Sequence, residues 1–435
     1  MQEALLTDLY ELTMAYSYFK RGLNTPAVFD LFVRSPVPYR RFLVFSGLDS
    51  ALDYLENLRF TPEDLAYLES LKLFDRHFLD YLRRFRFSGN VWAVAEGEVV
   101  YPGEPLFIVE APRIEAQIVE TFLLNTINFE TLIASKAARV LLAAGREASV
   151  VDFSPRRDHG ADAAMKVARA SYLTGFDGTS NTLAGKRYGI PVVGTMAHSY
   201  VLSFPDELSA FRAFAEDHPR PILLIDTYDV HEGLEHAILV ARELEQKGRR
   251  LAGVRVDSGD LVSLTRYIRR RLDEEGLSYV KILVSGDLDE YKIRDFKAQG
   301  GVADGYGVGT RLGTSYDLPA LGGVYKLVWD TGGPKAKRSP GKKTLPGRKQ
   351  VWRGEEEDTV ALREEVLPGR PLLKLVMERG KRLVPPADLK ALREEVKERV
   401  FGLPEEQRVI DRPPAPRYPV RISRKLEELQ RKLTP

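Results

Sequence analysis

An irregular TIM-like parallel α/β barrel is the fold class this sequence predicts, and three observations predict it. From about residue 148 onward, short β-branched stretches alternate with amphipathic helical stretches at the spacing of right-handed βαβ units. Almost every such strand ends in a carboxylate, a glycine or a hydroxyl, and a barrel gathers its strand C-termini at one mouth. The 435-residue length leaves room for a catalytic barrel at 116–330 beside an N-terminal α/β domain at 1–115, to which 331–435 returns as a C-terminal tail.

The elements follow in chain order. The opening MQEALLTDLYELTMAYSYFKRG reads as an amphipathic helix, AVFDLFV at 27–33 as a strand, and the leucine- and aromatic-spaced stretch to about Phe87 as helices. In VWAVAEGEVVYPGEPLFIVEAP, Gly97 and the Pro102-Gly103 and Glu104-Pro105 steps punctuate short apolar strands. IEAQIVETFLLNTINFETLIASKAARVLLAAG is helical by its apolar spacing, with Gly145 as its C-cap. The barrel strands are assigned to ASVVDF, IPVVGTMA, PILLIDTY, LAGVRVDS, VKILVSGD and VADGYGVGT. Helices such as HEGLEHAILVARELEQKG and LVSLTRYIRRRLDEEG lie between them. Beyond Asp330 the chain becomes basic and Pro/Gly-rich, and it closes on a charged helix.

Composition narrows the chemistry. Sixty-four basic and 62 acidic residues leave a formal net charge of +2, without the excess that general nucleic-acid binding calls for. The absence of cysteine excludes disulfides, thiolate catalysis and zinc or iron–sulfur sites built on thiolates, and fits a reducing, cytoplasmic setting. The acidic opening, without a basic leader or a bilayer-length apolar run, points away from membranes. His77, His159, His218, His231 and His236 show no metal-ligand spacing.

The strand ends supply a constellation: DFSPRRDHG, GFDGTSNTLAG, GTMAHS, IDTYD, RVDSGD, SGDLDE and GVGTRLGTS. Glycines in the last loop let backbone N–H groups approach a phosphate, and late loops are the usual phosphate seat of barrels. The aspartates at Asp226, Asp257 with Asp260, and Asp287 suit a ligand with vicinal hydroxyls and a Mg²⁺ shared with phosphates. Each reads equally well as a helix N-cap, and their recurrence is what favours function. His198, at the end of an apolar stretch, is placed to act as base, nucleophile or ligand, or to be a satisfied core histidine.

Taken together and in order, DLYELTM, GFDGTSNTLAG, GTMAHS, VRVDSGDL, SGDLDE and GYGVGTRLGTS resemble the nicotinate phosphoribosyltransferases, over about Thr7 to Gln350. The KxSxGKxTxPGRKQVxR pattern from Lys337 to Arg353 is similar to that family's tail signature. The resemblance implies joining of nicotinate to 5-phosphoribosyl 1-pyrophosphate, with Mg²⁺, and with ATP hydrolysis coupled through a phosphohistidine at His198. It implies Asp226 as the carboxylate orienting that ring. Asp257 and Asp260 are implied as ribose and metal residues with Gly259, Gly286 and Asp287 beside them, and Gly307, Gly309 and Thr310 as the phosphate loop. Arg255 joins them as a strand residue that could instead point away. For the pyridine it implies stacking between Phe153 and Tyr10 of a neighbouring subunit, so a homodimer with shared sites, and pairing of its carboxylate with Arg156 or Arg157. Tyr10 could otherwise be ordinary packing.

Relatives that use nicotinamide carry an aspartate in the loop where this chain has Thr179, Ser180 and Asn181, so the resemblance implies nicotinate, with nearby Asp177 as a competing charge. A quinolinate enzyme would call for a denser basic cluster. A barrel aldolase or isomerase would need a strand-end lysine or glutamate that is not among the strand ends, and a non-catalytic scaffold would leave His198 among the aspartates unexplained.

Overall fold

A computed structural model describes residues 4–34, 36–337, 339, 344–410 and 418–433. Residues 338 and 340–343 of the basic stretch, and with them part of the tail signature, lie outside the described residues. The chain divides into two compact units: Met1–Ser135 with Ala320–Asp388 and Pro413–Pro435, and Lys136–Pro319 with Leu389–Arg412.

The first unit is built on a seven-stranded antiparallel sheet. Its strand order is Gly333–Pro334, Gly323–Asp330, Pro26–Val33, Pro105–Pro112, Asn90–Ala93, Lys374–Glu378 and Lys381–Arg382. The predicted strand at 27–33 is an interior strand, third in that order, and it carries a charge into the core. Asp30 there meets Lys349 at 2.8 Å, both side chains 2% exposed. Burial pushes the aspartate up and the lysine down, which each partner opposes in the other. The opening helix is Leu9–Lys20.

The second unit holds a six-stranded parallel sheet in the order Gly178–Thr179, Ser149–Asp152, Gly305–Val308, Lys281–Val284, Gly253–Val256, Ile222–Leu224. This mixed α/β architecture agrees with the alternation of the sequence. Helices follow as expected: Val230–Gln246 after the strand at 222–224, Leu261–Glu274 after 253–256 and Glu290–Ala298 after 281–284. Each starts on an aspartate whose side chain accepts a backbone N–H, at Asp229, Asp260 and Asp289, so one polar residue both ends the loop and satisfies an orphan donor of the helix. Gly233 lets the first of them lie against the sheet, since a Cβ there would stand 2.2 Å from Ile225 O. Leu223, Leu224, Val254, Val256, Ile282, Leu234, Ile238 and Ile268 fill the core between.

One strand assignment is corrected. IPVVGTMA forms no ladder strand; Val192 makes an isolated parallel bridge to Thr179, and the segment is otherwise irregular. The edge strand lies earlier, in the two residues Gly178–Thr179, too short for any periodicity to register. Among the described residues no helix is long and apolar enough to cross a membrane.

Candidate functional site

The site grows from the C-terminal ends of the parallel strands. The strand Ser149–Asp152 ends in a fully buried carboxylate whose Oδ1 accepts from Ser154 N (2.8 Å) and whose Oδ2 accepts from the Thr179 hydroxyl (2.7 Å). Burial pushes this carboxyl up against those hydrogen bonds. The Asp152 carbonyl accepts from Ser180 N (2.9 Å), so one residue fixes both the loop that follows it and the Thr179–Ser180 turn beside it. Asp152 was not among the expected site residues, because what marks it is burial without a cation.

Phe153 follows, its N–H on Val308 O (2.8 Å). A Cβ on Gly307 would stand 2.4 Å from the Phe153 ring and one on Gly309 3.2 Å from Phe153 O, so these glycines make room for the aromatic residue. Thr310 starts the short helix Thr310–Gly313. Arg156 is exposed on the Phe153 loop. It is close enough to Arg255 to add to the burial that lowers the latter's pKa, against Asp257 and Asp226, which raise it. Asp158, on the same loop, accepts from the Ser154 hydroxyl (3.0 Å) while its Oδ1 is buried without a partner. Burial, with Asp152 adding, raises it to about 6.

Asp177 does not face this end of the sheet. Its Oδ2 accepts from Ser149 Oγ and Val150 N, both at 2.9 Å, and its Oδ1 from Arg393 Nη2 (2.5 Å). It therefore sits at the beginning of the strand whose other end is Asp152.

Arg255 turns toward the GTMAHS segment, donating to Thr195 Oγ1 and to Met196 O (3.1 Å), with Nε buried and unpartnered. His198 opens the short helix His198–Val201, and its Nδ1 lies 3.1 Å from Thr227 Oγ1. The ring is thus held by Thr227 and not by Asp226, because Asp226 is engaged elsewhere: its Oδ2 accepts from Asp257 N (2.9 Å) and Ser258 Oγ (2.7 Å), and its Oδ1 is buried without a partner. Asp257 Oδ1 accepts from Ser285 Oγ (2.6 Å). Gly286, at φ +100°, closes onto the same residue, since a Cβ there would stand 2.1 Å from Asp257 O. Asp226, Asp257, Ser285 and Gly286 are therefore one contiguous cluster.

Asp260 and Asp287 stand apart from it. Asp260 is exposed and caps its helix on Ser263 N, and those bonds hold its carboxyl below the ordinary range. Gly259 before it takes φ +86°. Asp287, itself at φ +51°, accepts from Arg311 Nε (3.1 Å) and Lys292 Nζ (3.3 Å), which outweigh the upward push of partial burial and keep it ionised. Tyr10 belongs to the first unit, on the helix Leu9–Lys20, and is 47% exposed.

The chain is similar to known proteins along most of its length. A family model described as the nicotinate phosphoribosyltransferase N-terminal domain matches residues 5–128, and one described as the nicotinate phosphoribosyltransferase family matches 148–323. A nicotinate phosphoribosyltransferase of Mycobacterium tuberculosis is 46% identical over 426 residues, covering 97% of this chain and 91% of that one. One of Bacillus subtilis is 43% identical over 86% of this chain and 79% of its own. Among solved structures, human nicotinic acid phosphoribosyltransferase superposes with a TM-score of 0.87 at 30% identity, over 98% of this chain and 99% of that one. A nicotinate-nucleotide pyrophosphorylase from Pyrococcus furiosus reaches 0.76 at 27% identity, over 93% and 97%.

Proposed function

The chain belongs to the nicotinate phosphoribosyltransferase family, and from that premise we propose how its strand-end residues carry the reaction. It is an enzyme that joins nicotinate to 5-phosphoribosyl 1-pyrophosphate, giving nicotinate mononucleotide and pyrophosphate in NAD biosynthesis. The observation that carries the choice of nicotinate is the position of Asp177. With its carboxylate tied to Arg393 at the opposite end of the strand, Asp177 is kept off the Thr179–Ser180–Asn181 turn, whose own side chains are neutral, and Arg156 on the Phe153 loop lies near Arg255. A substrate carboxylate is favoured there and a guanidinium fork can hold it.

In this reading the pyridine lies on Phe153, with Tyr10 of a second copy closing over it, so the working form is a homodimer. Ribose hydroxyls meet Asp257, Gly286 and Asp287, and the 5-phosphate meets the turn at Gly307, Gly309 and Thr310. As pyrophosphate leaves, positive charge grows on the ribose ring, and Asp257 stabilises it while holding the sugar in line with the pyridine nitrogen.

Asp257, with the buried, unpartnered Asp226 Oδ1 beside it, would offer the oxygen donors that Mg²⁺ takes, whereas Asp260, the other expected metal residue, caps its helix apart from them. An ion held there would arrive with the substrate phosphates. There it would neutralise phosphate charge. For ATP coupling, the tautomer that gives its Nδ1–H to Thr227 would leave the His198 Nε2 lone pair to attack the γ-phosphorus, with ADP departing and water later cleaving the phosphohistidine.

We also take the parallel sheet as the wall of the irregular barrel, the enzyme working in the cytoplasm. Support comes from Val192, bridged to Thr179 at one sheet edge, and from Arg255, which holds the same segment at Thr195 and Met196 near the other edge. The test is a product assay with nicotinate, nicotinamide and quinolinate, each with and without ATP, on the native chain and on His198→Ala. Mononucleotide from nicotinate alone, with an ATP stimulation that vanishes in the variant, is the expected result. Efficient use of nicotinamide would overturn the reading of the Thr179–Ser180 turn.

A further inference from the structure

The N-terminal helix carries a carboxyl that the reaction does not use. Glu11 is fully buried, and among the described residues it has no ion pair. Its two oxygens meet two hydroxyls: Thr7 Oγ1 at Oε2 and Thr121 Oγ1 at Oε1. Those hydroxyls have other claims on their protons. Thr7 Oγ1 also lies 3.1 Å from Ile118 O, and Thr121 Oγ1 lies 3.0 Å from Asp8 Oδ2 while accepting from Asp8 N at 3.2 Å. Four acceptor oxygens thus share two hydroxyl protons. A third proton, on Glu11 itself, lets it donate to one threonine while that threonine donates onward.

The groups facing Glu11 all favour that proton or leave it alone. Asp8 and Tyr10 sit on its own segment, Glu120 on the long helix Glu120–Ala144, and Tyr325 and Lys326 on the strand Gly323–Asp330. Lys326 is spent on Glu120, at 3.9 Å, and the Tyr325 hydroxyl on Ala116 O. Burial raises the Glu11 carboxyl to about 7, against the hydrogen bonds of Thr121 and Thr7, with Glu120 and Asp8 adding to the rise. Burial and Glu120 likewise hold the Tyr10 hydroxyl well above its usual value.

We propose that Glu11 is a positioning residue for the nicotinate site: as a neutral acid it donates to one threonine and frees that hydroxyl to donate onward to Ile118 O or Asp8 Oδ2, fixing the segment that presents Tyr10, and on ionising it draws both hydroxyl protons to itself and ends that onward bond. The role rests on the reading of Tyr10 as the ring that closes over nicotinate in a second copy. The sign follows from the raised value. Ionisation of Glu11 costs little below about pH 4.5 and its full penalty above about pH 7, so the segment is firmest in acid and loosens as pH rises through neutrality.

The experiment measures KM for nicotinate and kcat from pH 5.5 to 8.5 in the full-length native enzyme, Glu11→Gln and Tyr10→Ala. Alongside it, hydrogen exchange of residues 4–20 is corrected for the intrinsic pH dependence. We expect native KM to rise about fivefold across pH 7, the size of one aromatic contact, with kcat changing far less. Glu11→Gln, neutral at every pH, holds KM and exchange protection at their low-pH values throughout. Identical KM profiles for native and Glu11→Gln enzymes overturn the proposal. An unchanged KM in Tyr10→Ala removes the stacking role and with it the positioning role, a failure told apart from the first because the exchange difference between native and Glu11→Gln would persist.

Discussion

The two ends of the parallel sheet treat their carboxylates differently. At the strand beginnings, Asp177 is bound by Arg393, Ser149 and the Val150 amide, and Asp304 by Lys281 Nζ (2.9 Å) and the Ile282 amide (2.9 Å). At the strand ends, Asp152, Asp226 and Asp257 are held by hydroxyls and amides without a cation contact, and Asp226 and Asp158 each keep a buried oxygen unused. One end has its charge neutralised by the fold; at the other, Asp287 is met by Lys292 and Arg311, while the Asp152, Asp226 and Asp257 group keeps its acceptors for something the fold does not supply. The contrast separates stability from chemistry within a single sheet.

Substitutions that break this contrast rank by expected size. Asp257→Asn should lower kcat/KM about 10²–10³-fold in steady-state assays while thermal unfolding stays within about 2 °C of the native enzyme. A large stability loss instead would mean the strand ends are structural too. Gly286→Ala sets a Cβ into Asp257 O at a positive φ; we expect a loss of about 2–4 kcal/mol in denaturant titration together with the activity. Asp304→Asn should cost about 1 kcal/mol, with KM for both substrates unchanged, since its lysine partner is largely solvated.

The smallest effect concerns pH. The Asp158 carboxyl is raised to about 6, so its ionisation is penalised in the folded chain, and the stability of the neutral form is lost as pH climbs from about 4 through 6. Asp158→Asn should therefore melt about 2 °C higher than the native chain at pH 8 and level with it at pH 4. Equal shifts at both pH values would show that Oδ1 is solvated in solution.

The sequence made the frame legible where periodicity is strong. The helices at 230–246 and 261–274 and the strand at 26–33 fall where apolar spacing and glycine stops put them. The two-residue edge strand and the irregular course of IPVVGTMA were not legible, because a β-branched run carries strand propensity whether or not a neighbour is there to pair with it. The strand-end aspartates could be found from their recurrence, but recurrence could not sort them. Asp260 turned out to cap a helix while Asp257 joins the cluster, and the two lie in the same short loop. The partner of His198 was missed for a similar reason: Asp226 and Thr227 are adjacent, and only the demand of the Asp257 loop on Asp226 decides which of them meets the ring. Asp152, Asp158 and Glu11 depend on burial, which no local pattern encodes.

The contact of Gly286 with the Asp257 carbonyl also bears on how such an enzyme can be changed. Because any side chain at 286 would push the neighbouring turn aside, the loops after the strands at 253–256 and 281–284 cannot be exchanged one at a time. They form a single cassette, and grafting a new sugar specificity onto this sheet would require transplanting both together.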